Sequence, residues 1–334
     1  MSLPPVMRAA VITAPGAPDV LRILERPLPA PAPGDLLVRV RASAVNRADL
    51  LQRIGRYPAP PGVPADIPGL EFAGEVAACG AGVEGFVVGD RVCGLVAGGA
   101  HAEYLVTDAR TVARVPDGMS WEVAGAAPEV FITAHDAMVT QAGLRAGETV
   151  LVHAVGSGVG LAAVQLATAL GARVFGTARG LAKLDAARVM GMVDGCQPGE
   201  GDWIARAMAG WTDGGGADVV VDLVGGDYTA GSLAAMAPRG RLMLIGALAG
   251  SKATMDLRTV LGRRLTIRGT VLRSRGLDER MAVIGAYERD VLPWLASGRL
   301  APRIDARFEL AELATAHALV ESNGTVGKVA LRFD

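Results

Sequence analysis

At 334 residues, with 51% hydrophobic and 20% charged side chains, the chain is long for one compact domain and too apolar for extended disorder. Basic and acidic residues balance at 33 against 34 with no Lys/Arg run, so the electrostatic footprint of a nucleic-acid binder is absent. No apolar stretch approaches the ~18 to 20 residues of a membrane span, which argues against a membrane partner.

Met1–Arg8 lacks the apolar core of a secretion signal, which predicts a cytoplasmic protein. Cys79, Cys93 and Cys196 never form a C-x-x-C pair. They are expected to be buried small hydrophobes, without a disulfide framework or a structural metal.

From Arg8 to about Val115 the chain reads as short strands broken by turns. Arg8–Thr13, Asp35–Ala42, Glu71–Cys79, Arg91–Leu95 and His101–Val106 alternate or run apolar between Gly and Pro punctuation. Pro27, Pro29, Pro31 and Pro33 mark an extended spacer. Asn46 precedes a helix whose Asp49, Gln52 and Arg53 read as a solvated row.

The texture changes near Trp121, with helical segments over Trp121–Ala127 and Phe131–Gln141. Strands and helices then alternate: Thr149–Ala154, Gly158–Leu170, Arg173–Ala178, Leu181–Met190, Ala217–Val224 and Arg241–Ala247. Such alternation implies βαβ units and a parallel sheet, and apolar strands fit helices on both faces. The end carries helices at Val291–Ala296 and Leu310–Glu321 and strands near Ala306–Phe308 and Lys328–Phe333, expected to complete the first domain. No internal repeat is visible.

One segment carries chemistry by itself. Val150-Leu-Val-His-Ala-Val-Gly-Ser-Gly-Val-Gly160 runs strand, glycine turn, helix start. A dinucleotide's pyrophosphate needs backbone N–H groups at a helix N-terminus and no side chain in the way. Gly156, Ser157, Gly158, Val159 and Gly160 supply this turn, though Val155 and Ser157 stand where the strict pattern has its first two glycines. The next strand ends at Thr177 and Ala178, with no acid to take the ribose hydroxyls of NAD. Arg179 and Lys183 follow, and they suit a 2′-phosphate. Charge-assisted bonds of ~1.5 to 3 kcal/mol would give a ~10- to 150-fold preference for NADPH. Both cations also fit a solvated helix start.

Asn46-Arg-Ala-Asp-Leu-Leu-Gln-Arg-Ile-Gly-Arg-Tyr57-Pro, Ile67-Pro-Gly-Leu-Glu-Phe-Ala-Gly74, Gly89-Asp-Arg-Val92, Ser157-Gly-Val-Gly160, Leu272-Arg-Ser-Arg275 and Gly327-Lys328 together resemble the zeta-crystallin-like quinone oxidoreductase branch of the zinc-free medium-chain dehydrogenase/reductase superfamily. The resemblance covers essentially the whole chain. It implies an α/β fold: a mostly-β GroES-like catalytic domain over 1–127 and 272–334, and a doubly wound parallel Rossmann domain over 128–271. It places the active site between them.

Zinc alcohol dehydrogenases carry a Cys and a Gly-His-Glu where this chain has Asn46 and Gly69-Leu70-Glu71. Too few ligands remain for a catalytic zinc. Without a Lewis acid, substrates that accept hydride readily are favoured, such as quinones and enones.

By the same resemblance Asn46 borders the nicotinamide and the substrate. Tyr57 lines the substrate pocket as a proton or hydrogen-bond donor, and Arg273 stands near the nicotinamide. Thr133, Leu223, Ile245, Gly246, Ala247, Leu272 and Lys328 join the cofactor set. Where the family often has a Tyr on the adenosine phosphate, this chain reads Gln197-Pro198.

Plainer readings stand beside these. Asn46 fits a helix N-cap, and Tyr57 before Pro58 fits a surface turn. His101, His135 and His317 read as isolated structural residues, and His153 as packing near the glycine turn. The implied activity is NADPH-dependent quinone reduction in a homodimer joined near Leu248–Thr270. An enone or enoyl reductase is the alternative, and a non-catalytic NADPH-binding crystallin the third.

Overall fold

The computed structural model describes residues 3–333. Met1 and Ser2 of the opening segment, and Asp334 at the expected end of the first domain, lie outside them. Two compact units form: one holds the described residues up to Ile132 and from Leu272 onward, the other Thr133–Val271.

The first unit begins with strands β1 (Val6–Ile12), β2 (Leu21–Pro27) and β3 (Asp35–Val45), then helix α1 (Arg47–Arg53). Strands β4 (Glu71–Cys79), β5 (Arg91–Leu95), β6 (Tyr104–Asp108) and β7 (Val112–Arg114) follow, then α2 (Trp121–Ala126) and α3 (Pro128–His135), whose residues from Thr133 onward belong to the second unit. The second unit alternates β8 (Thr149–His153), α4 (Gly158–Ala169), β9 (Arg173–Thr177), α5 (Leu181–Val189), β10 (Asp194–Cys196), α6 (Trp203–Thr212) and β11 (Ala217–Asp222). It closes with α7 (Asp227–Ala235), β12 (Met236–Leu244), α8 (Leu257–Arg263) and β13 (Thr266–Gly269). The chain then returns through α9 (Leu277–Asp290), α10 (Leu292–Ala296), β14 (Ile304–Glu309), α11 (Leu313–Glu321) and β15 (Lys328–Arg332).

In the first unit β1 and β2 form a ribbon, and the main sheet runs β14-β15-β3-β4-β5-β7 with β6 also on β3. The last strand pairs antiparallel with β3, Val329 opposite Val45. That register sets the start of β15 beside the end of β3, next to Asn46. Phe72, Leu36, Val38, Val92 and Leu331 fill the core beneath.

The second unit is a parallel sheet in the order β10-β9-β8-β11-β12-β13. This is the doubly wound order, in which direction reverses between β8 and β11 and ligands bind beyond the strand carboxyl ends there. Every residue of β8 is buried, because helices cover both faces. Leu151, Phe175, Ile204, Met208, Val220 and Leu242 make its core.

The departures from the sequence reading have local causes. β2 was hidden by the proline spacer, whose first proline, Pro27, is the last residue of the strand. The helix expected over Phe131–Gln141 ends at His135 and continues as a wider π turn over Asp136–Gln141. The row Asp49, Gln52 and Arg53 is buried, not solvated. Asp49 accepts N–H bonds from Asn46 and Gly69, and Gln52 donates to the Ala65 carbonyl. Arg53 holds the Gly16 carbonyl and both oxygens of Glu321. The row faces inward because loop backbone there needs partners. Of the cysteines, Cys93 is buried, Cys196 is half-buried, and Cys79 is exposed, against expectation.

Phe72 is fully buried at the centre of the first core. Phe72→Ala is expected to lower unfolding free energy by about 3 to 5 kcal/mol, read by urea denaturation followed through first-unit fluorescence.

Candidate active site

The second unit contributes a turn built for a dinucleotide. β8 ends at His153, Ala154 takes a left-handed conformation (φ 54°), and Ser157 caps α4 by accepting the Gly160 N–H at 3.0 Å. The first N–H groups of α4 have no intrahelical acceptor and carry the positive end of the helix dipole. A Cβ on Gly160 would lie 2.4 Å from the Ala154 carbonyl oxygen, so the turn packs directly on the helix start. A Cβ on Gly156 would lie 2.5 Å from the Lys183 stem, which therefore crosses the turn. Both glycines are required by close packing inside the protein, and it is the N–H groups at the start of α4 that suit a pyrophosphate.

The strand ends around the turn are fixed by polar bonds. Ser232 gives its hydroxyl proton to the Tyr228 carbonyl at 2.6 Å. His153 Nε2, 2.8 Å from that hydroxyl, must then be the donor, and Nδ1 accepts from Thr177 Oγ1 at 2.9 Å. Burial pushes His153 down to about 4, so the ring stays neutral. Thr177 thus uses its hydroxyl inside the protein. Asp222 takes the N–H groups of Val224 and Gly225 and the Thr229 hydroxyl. Its carbonyl accepts from Ile245 and Gly246, and Gly246 lies against the Leu223 carbonyl, so Leu223, Ile245 and Gly246 meet at the sheet's carboxyl end. Ala247 next to them is exposed, as is Arg179, whose own carbonyl accepts from the Gln197 amide at 2.6 Å. Thr133 is buried in α3.

The first unit contributes a buried polar corner where three strand ends converge: Asn46 after β3, Glu71 opening β4 and Lys328 opening β15. Lys328 Nζ lies 2.7 Å from Glu71 Oε1 and 2.5 Å from Asn46 Oδ1. Asn46 Nδ2 donates to the same Glu71 oxygen at 2.9 Å, and Glu71 Oε2 accepts the Glu129 N–H at 2.9 Å. Asn46 is also the N-cap of α1, through the Asp49 carboxylate. Its carboxamide is therefore oriented by an ammonium and a carboxylate.

Arg273 acts on Tyr57 through the backbone. Its guanidinium donates to the carbonyls of Ala97 (2.7 Å) and Tyr57 (2.9 Å) and to Gln52 Oε1 (2.6 Å), and it lies 4.8 Å over the Tyr57 ring. Burial raises the half-buried Tyr57 hydroxyl's pKa; the Arg273 charge opposes the rise and Glu129 adds to it. Leu272 beside Arg273 is half-buried.

His101 and His317 are not isolated: their rings meet edge-on at 6.3 Å. Burial lowers both, His317 to about 2, so the pair is neutral. Two contributors escaped the sequence reading. Lys328 was expected only as a cofactor contact, and Glu129, between the helical segments read over Trp121–Ala127 and Phe131–Gln141, was not singled out.

The corner does not suit a zinc ion. Asn46 and Glu71 already embrace an ammonium, and among the described residues no group of three or more His, Cys, Asp or Glu is placed to hold a metal. Nor, among them, is any helix long and apolar enough to cross a membrane.

Comparison with known proteins follows this geometry. Residues 32–117 match the alcohol dehydrogenase GroES-like domain family, and residues 158–289 the zinc-binding dehydrogenase family. The chain is 34% identical to the quinone oxidoreductase of Pseudomonas aeruginosa, covering 95% of this chain and 96% of that one. It is 41% identical over 286 residues to erythronolide synthase EryA2 of Saccharopolyspora erythraea; this is 83% of the chain but only 7% of that protein's length. A mycobacterial structure complexed with NADPH superposes with a TM-score of 0.86 at 33% identity, covering 98% of this chain and all of that one.

Lys328→Met would leave the Glu71 carboxylate buried without its cation. A loss of about 3 to 5 kcal/mol is expected in chemical denaturation, with most of it recovered by Lys328→Met/Glu71→Gln. A double variant as unstable as the single would show that the ion pair is not the source of the loss.

Proposed function

We propose, from the premise that this chain belongs to the quinone oxidoreductase branch of the medium-chain dehydrogenase/reductase superfamily, that it is an NADPH-dependent, zinc-independent reductase of quinones and similar electron-poor acceptors. The observation that carries the reading is the glycine turn between β8 and α4, at the switch point of the parallel sheet, with Lys183 folded across Gly156. Gly156, Ser157, Gly158, Val159 and Gly160 would hold the pyrophosphate, with Leu223, Ile245, Gly246, Ala247 and Thr133 toward the nicotinamide end. Bound and reduced, the nicotinamide supplies a hydride.

Arg179 and Lys183 would take the 2′-phosphate, since the strand before them ends without an acid. Tyr57, steadied by Arg273, would donate to an acceptor oxygen, and Asn46 would border the reacting groups. With the Lys328–Glu71 pair filling the polar corner, no Lewis acid polarises the acceptor, which favours molecules that take hydride unaided.

The identity with part of a polyketide-forming synthase favours the second reading, reduction of an enone or enoyl double bond with the same residues. β13 lies at the open edge of its sheet, with Leu248, Leu257, Leu261 and Ile267 exposed. An exposed apolar edge needs cover, and a second copy joined there would make the homodimer; sedimentation velocity giving a monomer would refute it.

A steady-state panel of 1,2-naphthoquinone, an alkenal and an enoyl thioester, each with NADPH and NADH, tests the rest. Turnover is expected to be greatest with the quinone and unchanged by a zinc chelator. Arg179→Ala is expected to cut the NADPH preference in kcat/KM by about 10- to 150-fold. Fastest reduction of the thioester would move the assignment to the second reading, and NADPH binding without any turnover to a non-catalytic protein.

A further inference from the structure

We infer that Glu129 is the acid that protonates the acceptor after hydride transfer, reloading from solvent. The inference rests on the reductase reading and adds to it the source of the proton.

Three carboxyl groups crowd the first unit's polar corner, and hydrogen bonding sorts them. Asp49 accepts backbone N–H groups on both oxygens, from Asn46 and Gly69. Glu71 is saturated as well: Lys328 and the Asn46 amide meet Oε1, and the Glu129 N–H meets Oε2. Glu129 lends its backbone to that network, yet among the described residues its own carboxyl takes part in no hydrogen bond or ion pair. The residue is only half-buried and its oxygens are not among the sealed, unpartnered atoms. The carboxyl is thus enclosed by protein but open on one side.

A carboxylate in that position would have lost most of its water, gained no donor and stood beside Glu71. Holding its proton removes the conflict. Burial, then the charge of Glu71, pushes Glu129 up to about 8; Asp49 adds to the rise, while Lys328 and Arg273 oppose it. At neutral pH, with the folded-state value above the ambient pH, the acid form predominates. Its charge state is also felt by Tyr57, the other proton-bearing group nearby.

The reaction balances on these groups. The acceptor gains a hydride, two electrons and one proton, from the dihydronicotinamide, which is oxidised. The resulting anion, on oxygen for a quinone or at Cα for an enone, takes a second proton. The O–H bond of Glu129 breaks and an O–H or C–H bond forms on the product. The carboxylate left behind, short of donors, regains a proton from water on its open side.

The charged and titratable groups facing Glu129 are Glu71 on β4, Lys328 on β15, Asp49 on α1, and Arg273 and Tyr57 from the loops. The acid form is lost as pH rises through about 8, so wild-type kcat should fall on that limb. Glu129→Gln keeps the shape and neutrality of the protonated side chain but cannot give up a proton. It is expected to lower kcat on the order of 10²-fold, to lose the alkaline limb, and to leave NADPH affinity by fluorescence titration within about twofold. Glu129→Asp should retain the limb.

Infrared titration of the wild type should show a protonated-carboxyl band disappearing near pH 8, absent from Glu129→Gln. Unchanged kcat and pH profile in Glu129→Gln, or a wild type with no such band at neutral pH, overturns the role of Glu129 while leaving the reductase reading intact. A wild type that reduces no acceptor in the panel overturns both.

Discussion

The buried contact between Lys328 and Glu71, with Asn46 between them, is the constraint on which the first unit depends. Removing an ammonium and a carboxylate from water costs several kcal/mol each, and only close pairing with full hydrogen bonding offsets it. Lys328 belongs to the last strand, and its two partners to the first hundred residues. The corner is therefore complete only when β15 has paired with β3. A one-residue slip in that pairing would turn Lys328 to the opposite face of the sheet. The ion pair acts less as a source of stability than as a check on register, and it fixes the Asn46 carboxamide as a by-product.

The second unit reaches precision by steric exclusion instead of charge. Gly160 cannot carry a Cβ because the turn's own backbone lies there, Gly156 because Lys183 crosses it, and Gly176 because the Val155 side chain lies 2.2 Å from where its Cβ would stand. Close approach of helix, turn and neighbouring strand brings the start of α4 to the switch point. The His153–Thr177 and His153–Ser232 bonds and the Asp222 clamp then hold β8, β9, β11 and α7 at fixed relative height. A neutral histidine suits this task, since burial outweighs the pull of Asp222 toward a charged ring.

How much of this was readable from sequence depends on the range of each interaction. The turn from Val150 to Gly160 was legible because strand, glycines and helix follow one another, and its chemistry lies in backbone N–H groups. β4 and β5 were legible to the residue because their apolar runs end at Gly and Pro. α9 was not, since only Ile284 and Tyr287 of its fourteen residues are buried, and two residues one turn apart are too few to make an apolar stripe. α1 misled in the opposite direction. A polar row on a short helix ordinarily faces water, but here it faces loop carbonyls and N–H groups whose positions no local pattern announces. Lys328 and Glu71 are separated by 257 residues, so their pairing has no local signature. Glu129 is the extreme case, because its chemistry comes from what its neighbours have already taken.

The charges of the corner also set what its third carboxyl can do. A metal would neutralise nearby carboxylates and activate an acceptor directly. Here the single ammonium is committed to Glu71, and Arg273 is committed to two backbone carbonyls and Gln52. Adding a third ionised carboxylate to two satisfied ones would create an uncompensated buried charge. Leaving Glu129 neutral avoids this and keeps the transferable proton that its inferred role requires. The division of labour between Glu71 and Glu129 follows from donor geometry: Glu71 has taken the ammonium, the Asn46 amide and the Glu129 N–H, and Glu129, left without a donor, keeps its proton.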